Sequence, residues 1–356
     1  MASKPYATSY ARDIALLGSP GRRFWFAAVA VALLAGPLVL SELHVVVAST
    51  LFITLIGAVA INLLMGVAGV LSLGAAAFLA VGSFAATFFA VDLELPFALV
   101  LLGSGLTAAL VGAVVALFTA RLRGLYVVMA TFALHFIAIF AVAQYQVARV
   151  GSAGWMMPRV EIGPWSSRSD SFWYFMALVL AGVTVLVAAN IMRSGVGRSW
   201  IAMRDRDIVA EAIGINLFRA KVVAFAGTSF LFGVAGALNS YFIGHVGSEQ
   251  FTIALAIEYL AIIIIGGIGS ILGSVIGTMF VVLLPYVVEW FIEGGVGISF
   301  ESALGGQQFE VQAAIYGVAI IAFMLIEPGG IAALWQRRIK GYFALWPFRR
   351  RWDFGQ

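Results

Sequence analysis

Apolar blocks of about twenty residues, separated by short polar stretches, run along most of the chain. Each is long enough for a helix to cross a bilayer, which takes about 20 mostly apolar residues. The blocks are continuous rather than alternating. Among the two structures that satisfy their backbone in lipid, the pattern therefore selects helices over a barrel. The spacing predicts spans near 24–41, 45–65, 71–91, 97–120, 125–147, 172–192, 222–243, 253–269, 271–292 and 311–327. Two Gly-rich stretches, 66–74 and 264–277, are expected to break the helices or to form re-entrant segments. The expected fold is an all-α, polytopic helical bundle of about ten spans.

Charge sets the orientation. Only 11% of the 356 residues are charged and 62% are hydrophobic, against about 25% and 45–50% in soluble domains. With the N-terminus in the cytoplasm, four segments fall inside: the 1–23 tail, the Arg121–Arg123 turn, the 193–221 loop and the 328–356 tail. All but Arg149, Arg159 and Arg168 of the 21 Lys and Arg residues then lie there, as the positive-inside rule requires. Glu42, Asp92, Glu94, Glu249 and Glu301 fall outside. Both termini are thus expected in the cytoplasm, and a count of eight spans would preserve the same pattern. Residues 1–23 read as a retained tail rather than a cleavable signal. The net charge of +4 belongs to this topology, so no nucleic-acid partner is expected. The tail beyond Pro328, with Trp335, Arg337, Arg338, Trp346 and Arg349 to Arg351, reads either as lying on the lipid surface or as a solvated topology signal. With 24–327 as the permease domain, the chain has three parts.

Two loops exceed what a connection needs, about 2–8 residues between bundled helices. Segment 148–171 is external and polar, with Pro158, Pro164, Trp155 and Trp165. Segment 193–221 is internal and basic. Within it, Asp205 or Asp207 is placed to cap a helix, Ile208, Val209, Ala212 and Ile213 recur at helical spacing, and Gly214 suits the C′ position. A short amphipathic helix facing the cytosol is expected. It reads as a docking surface for a soluble partner, with a loop that only sets topology as the alternative.

The sequence around that helix resembles a known family. Glu211-Ala212-x-Gly214 resembles the coupling motif of ABC importer permeases. Its surroundings from Gly197 to Ala237 are similar to LivM-type permeases of branched-chain amino acid importers. So are GVAGVLSLGAAAF (66–78), RGLYVVMATFA (123–133), EYLAIIIIGGIGSILG (258–273) and EPGGIAALW from Glu327. The chain departs from the family pattern at Val70, Ala75 and the GSAGWMMP stretch from Gly151. The resemblance implies docking of cytosolic ATPase subunits on the 198–220 region, through Arg204, Asp205, Asp207, Glu211, Ala212 and Gly214. It also implies a second homologous permease or a homodimer, and an external solute-binding protein. The chain would bind no cofactor itself, since ATP is used by the partner subunits.

Ionisable groups in a bilayer are costly and face an interior or a cavity. Asn62 and Glu258 are candidate path-lining groups, with an interhelical hydrogen bond as the structural alternative. Ser72, Gly74 and Thr131 join them as path candidates. His135 reads as structural, and Glu289 and Glu293 are placed near the external end of the ninth span. The glycines at 66, 69, 74, 266, 267, 269, 273 and 277 read chiefly as close-packing sites, with backbone exposed at a solute site as the alternative. No P-loop, HExxH or nucleophile–base pair is present, and no cysteine. A transport subunit of the bacterial inner membrane is expected, not an enzyme. Branched-chain or other aliphatic amino acids are the first solute class and urea or short amides the second. An ion-coupled secondary transporter is the rival class.

Overall fold

The computed structural model describes residues 20–292 apart from 123, 163, 164 and 168, together with 314, 315, 317, 318, 321 and 330–334. The long helices are α1 (Pro20–Val39), α2 (Glu42–Ile61), α3 (Ala75–Thr87), α4 (Phe97–Thr119), α5 (Leu125–Val150) and α6 (Asp170–Arg193). Two short helices follow, α7 (Gly195–Asp205) and α8 (Asp207–Ala212), then α9 (Leu217–Ile243), α10 (Ile253–Gly266), α11 (Ile271–Ile292) and α12 (Gly330–Leu334). Widened π turns extend α2 through Asn62–Val67 and α3 through Phe88–Asp92. Seven helices are long and apolar enough to cross a membrane, and two shorter apolar ones cover 27–39 and 271–287. The nine helices correspond to nine of the ten expected spans. The tenth, 311–327, lies largely outside the described residues, as do both terminal tails and Glu293.

Helix α2 is apolar on every side, and it is buried on every side. From Phe52 to Val67 all but Thr54 are buried, as expected of a helix without a polar stripe. It packs against α6, α9 and α11. Helix α9 is the second centre and lies between α3 and α4. Small residues permit that approach. A Cβ on Gly233 would stand 2.6 Å from both Ser104 O and Ala108 Cβ. Helix α5 is buried along Val127, Thr131, His135, Ala138, Val142 and Gln146, one stripe at three- and four-residue spacing.

Helix starts follow ordinary capping chemistry. Ser169 Oγ accepts from Phe172 N at 3.3 Å, and Asn216 Oδ1 accepts from Arg219 N at 3.0 Å. Gly244, in the left-handed conformation at φ +78°, ends α9.

At one end, the 148–171 segment is structured rather than merely polar. Strand β1 (Trp155–Met156) pairs antiparallel with β4 (His245–Val246), and β2 (Glu161–Ile162) with β3 (Trp165–Ser166). Trp155 is buried, stacked on Tyr145 and edge-on to Phe84. Gln146 Oε1 accepts from Ser248 N at 2.8 Å, and His245 Nε2 meets Ala153 O at 2.9 Å.

At the other end, the 193–221 segment holds two helices, where a single one was expected. Ser194 caps α7, which buries Gly197, Trp200 and Met203. Trp200 Nε1 donates to Ala220 O at 3.1 Å, fastening α7 to the start of α9. Trp200→Phe keeps most of the ring and removes the donor. It is expected to lower stability by about 1 kcal/mol, read as a small fall in the thermal midpoint of the detergent-purified chain; no fall would mean that packing alone holds α7.

Candidate functional site

Four of the five expected path residues gather at two points, both at the end that carries α7 and α8. The first is a joint between the two Gly-rich breaks. Asn62, 3% exposed, opens the π turn that ends α2. Its Oδ1 accepts from Gly269 N at 2.7 Å, and its Nδ2 donates to Ser270 O and to Ser274 Oγ, each at 2.7 Å. The amide thus satisfies Gly269 N, which the gap between α10 and α11 would leave open, and gives Ser270 O a second donor beside Ser274 N. The breaks share a spacing, Gly66 and Gly69 against Gly266 and Gly269. The second glycine of each has positive φ, +71° at Gly69 and +81° at Gly269, where a side chain is strained. Gly267, at φ +119°, ends α10, and a Cβ on Gly330 would stand 2.6 Å from its Cα, so α12 abuts the same point.

The second point lies where the chain runs without helix from Ala68 to Gly74 before α3. The expected span from residue 71 therefore starts as helix only at Ala75, because Gly69 turns the backbone out of the helical region. Thr131 Oγ1 of α5 accepts from Leu73 N at 3.0 Å, and Ser72 Oγ accepts from Gly74 N at 3.2 Å. Ser72, Gly74 and Thr131 are buried together. Their polar atoms serve backbone, as Asn62 does. Glu258 stands apart from both points, partly exposed on α10. His135 is buried with Nδ1 unpartnered.

The expected docking residues divide by direction. Neither Asp205 nor Asp207 is the N-cap of α8. That position is Arg206, in extended conformation (φ −157°, ψ 107°), and the Asp207 carboxylate accepts from Ile208 N at 2.8 Å. Gly214 occupies the C′ position at φ +89° with open space around it, and its N–H donates to Glu211 O at 3.0 Å. Glu211 and Ala212 are exposed. So are Ile208, Val209 and Ile213, at 69%, 52% and 68%, while Ala210 is buried. The apolar positions at helical spacing thus turn outward. Arg204 reaches back to the fold through one nitrogen, while its side chain stays 40% exposed. Its Nη1 donates to Gly66 O at 2.7 Å, and its Nε and Nη2 meet Asp205 Oδ1 at 3.2 Å each. Sequence reading did not find the partners of Asn62 or the bond from Arg204 to Gly66. The repeated Gly-x-x-Gly spacing was the available signal for the first.

Openings lie at both ends of the bundle. A cavity of about 730 Å³ lies at the β-strand end, lined by Glu94, Leu95, Phe97, Arg159, Glu161 and Tyr241 among others. A cleft of about 220 Å³ at the opposite end is lined by Gly69, Leu71, Arg204, Asp207 and Lys221 among others. Lys221 Nζ donates to Ala120 O and Leu122 O at 3.1 and 3.0 Å, where a cation suits the C-terminal end of α4. Among the described residues, no group of three or more His, Asp or Glu side chains is placed to hold a metal ion.

Apolar helices broken by glycine, with polar atoms spent on backbone at the breaks, define a multi-pass helical membrane protein. The chain belongs to the family of permease components of branched-chain amino acid transport systems, whose model matches residues 43–326. Among curated proteins it is similar to the high-affinity branched-chain amino acid transport system permease protein LivM of Salmonella typhimurium and of Escherichia coli. Each is 31% identical over 122 residues, covering 34% of this chain and 29% of the relative. The xylose transport system permease protein XylH of Haemophilus influenzae is 27% identical over 137 residues, 34% of this chain and 36% of the relative. The autoinducer 2 import system permease protein LsrC of Klebsiella pneumoniae is 28% identical over 125 residues, 33% of this chain and 35% of the relative. The chain thus spans about a third of the length of these relatives in the matched regions. No solved structure matches it.

Proposed function

We propose that this chain is the membrane-spanning permease subunit of an ATP-driven importer for branched-chain or other aliphatic amino acids. The observation that carries the reading is the outward apolar face of α8. Ile208, Val209 and Ile213 lie exposed beside Glu211 and Gly214, on a helix pair anchored by Trp200 and Arg204. An apolar patch rimmed by charge marks a protein-interaction site. With the 193–221 segment on the cytosolic side, the partner is a cytosolic ATPase subunit. A second permease, or a second copy of this chain, completes the bundle, and an external binding protein delivers solute at the strand-bearing end. The protein then resides in the bacterial inner membrane. The absence of a P-loop motif in the sequence leaves ATP hydrolysis to the partner.

The names of the LivM relatives support branched-chain amino acids as solute. Those of XylH and LsrC support a second reading, a polar sugar-like solute, within the same family. Uptake of labelled leucine against labelled xylose into vesicles holding the complete assembly separates the two.

Mild solubilisation and pull-down of the native chain, co-expressed with its ATPase subunits, is expected to recover the ATPase. Glu211→Lys and Ile208→Asp change only exposed positions. They are expected to reduce that recovery at least about fivefold, the effect of about 1 kcal/mol that the minority of energetically important interface residues exceed, with no change in the elution profile of the permease. A native chain that stays folded yet recovers no ATPase would sink the importer reading.

A further inference from the structure

Helix α8 presents exposed apolar residues on one side, and Arg204, in the last turn of the preceding α7, reaches the joint of the two breaks. The Gly66 carbonyl that Arg204 meets lies in the last turn of the α2 extension, where helical carbonyls lack an intrahelical donor and where positive charge is favoured. The aliphatic stem of Arg204 lies flat on Gly69. A Cβ there would stand 2.5 Å from Arg204 Cγ and 2.8 Å from its Cβ. On the far side, a Cβ on Gly269 would stand 3.1 Å from Gly66 O and 3.2 Å from Arg204 Nη1. One guanidinium is therefore bonded to the first break and lies beside the second, and Asn62 ties the two breaks to each other. Nε and Nη2 both point at Asp205, which holds the fork in this orientation.

Resting on the reading of α8 as an ATPase-docking helix, we infer that Arg204 is a positioning residue. It is the pin through which displacement of the α7–α8 pair moves the two helix breaks, rather than a contact with the ATPase. Trp200 ties α7 to α9, and Met203 is buried beside Arg204 on the same helix, so the pair moves as a unit with the guanidinium at its end. The planar fork of the guanidinium suits it to the task, since it can hold a carbonyl and a carboxylate at once. Movement of α7 pulls Gly66 O directly. Because Asn62 links that turn to Gly269, Ser270 and Ser274, the second break is drawn with the first.

The chain has no cysteine, so a single one reports cleanly. Leu71, 47% exposed, lies in the non-helical stretch beside Arg204. A Leu71→Cys chain, assembled with its permease and ATPase partners in nanodiscs, would be labelled with a maleimide with and without ATP and vanadate. The labelling rate is expected to change by about fivefold or more on ATP binding, the usual lower range for coupling between two sites. In the Arg204→Ala background the ATP dependence is expected to vanish while the ATPase still co-purifies. Arg204→Lys, which reaches the carbonyl without the fork, is expected to restore part of it. It also serves as the test if Arg204→Ala does not fold: an ATP response as large as that of the parent, with ATPase bound, overturns the inference. So does a persisting response in Arg204→Ala, a parent that shows none, or loss of the ATPase from Arg204→Ala. Recovery of no ATPase by the native chain instead overturns the importer reading itself.

Discussion

Replacing Asn62 by leucine is expected to destabilise the folded chain by about 2–5 kcal/mol, from three interhelical hydrogen bonds at about 0.6–1.7 kcal/mol each in a membrane. Leucine has nearly the same volume, so no cavity accompanies the loss. What remains without a partner is Gly269 N–H, with the Ser274 hydroxyl beside it; Ser270 C=O keeps its bond from Ser274 N at 3.0 Å. Gly269 lies at an interruption between two helices, and lipid offers its N–H no acceptor. Asn62→Asp separates the contributions. It keeps an acceptor for Gly269 N but loses both donations and turns a carboxylate towards the Ser270 carbonyl. It is expected to be at least as harmful as leucine. Thermal unfolding in detergent, followed by monodisperse elution after heating, measures both. If Asn62→Leu unfolds at the native midpoint, the joint is not held by this amide and the pin acting through it loses its second half.

Gly233→Leu is expected to abolish folding, or to cost at least about 3 kcal/mol, the upper end of ordinary overpacking. The reason is what surrounds it. The nearest atoms to the missing Cβ belong to backbone and to a short side chain: Ser104 O and Ala108 Cβ at 2.6 Å and Gly105 Cα at 3.0 Å. None can swing away. On its other side Gly82 of α3 approaches the Gly233 backbone just as closely, so three helices meet at one glycine. Gly227 is the control, on the same helix, with nothing within 4 Å of a Cβ built on it. Gly227→Leu is expected to fold as well as the native chain. It replaces glycine by a residue with a helix propensity better by about 0.8 kcal/mol. Equal yields of monodisperse protein from the two variants would show that α9 can shift to make room.

The helices were legible because each is a run of about twenty apolar residues, and nine of the ten expected spans coincide with described helices. Which way each helix faces was much less legible. A soluble helix reveals its core face by a polar stripe, but α2 and α4 are apolar all round, and burial along them follows neighbours that the local pattern does not encode. The glycines were recognised as needing a reason, and at Gly214, Gly69 and Gly269 the reason is positive φ. Gly82 and Gly233 instead serve close approach. Grouping Ser72, Gly74 and Thr131 with Asn62 selected residues that do cluster, yet their polar atoms go to backbone at the breaks. Asn62 and Gly269 are 207 positions apart, and a single sequence carries no record of such a pairing. The α8 helix was expected from Ile208, Val209, Ala212, Ile213 and Gly214. Its preceding helix α7 was not, since Gly195 and Gly197 argue against helix locally and are overridden by the Ser194 cap and the burial of Trp200.

The distance between the two breaks along the chain also sets an order of events during synthesis. At about 5–20 residues per second, the ribosome needs roughly 10–40 s to make the residues between Asn62 and Gly269. Throughout that interval the amide at the end of α2 lacks its three partners. Closure of the joint is therefore a late event that waits for residues 269 to 274.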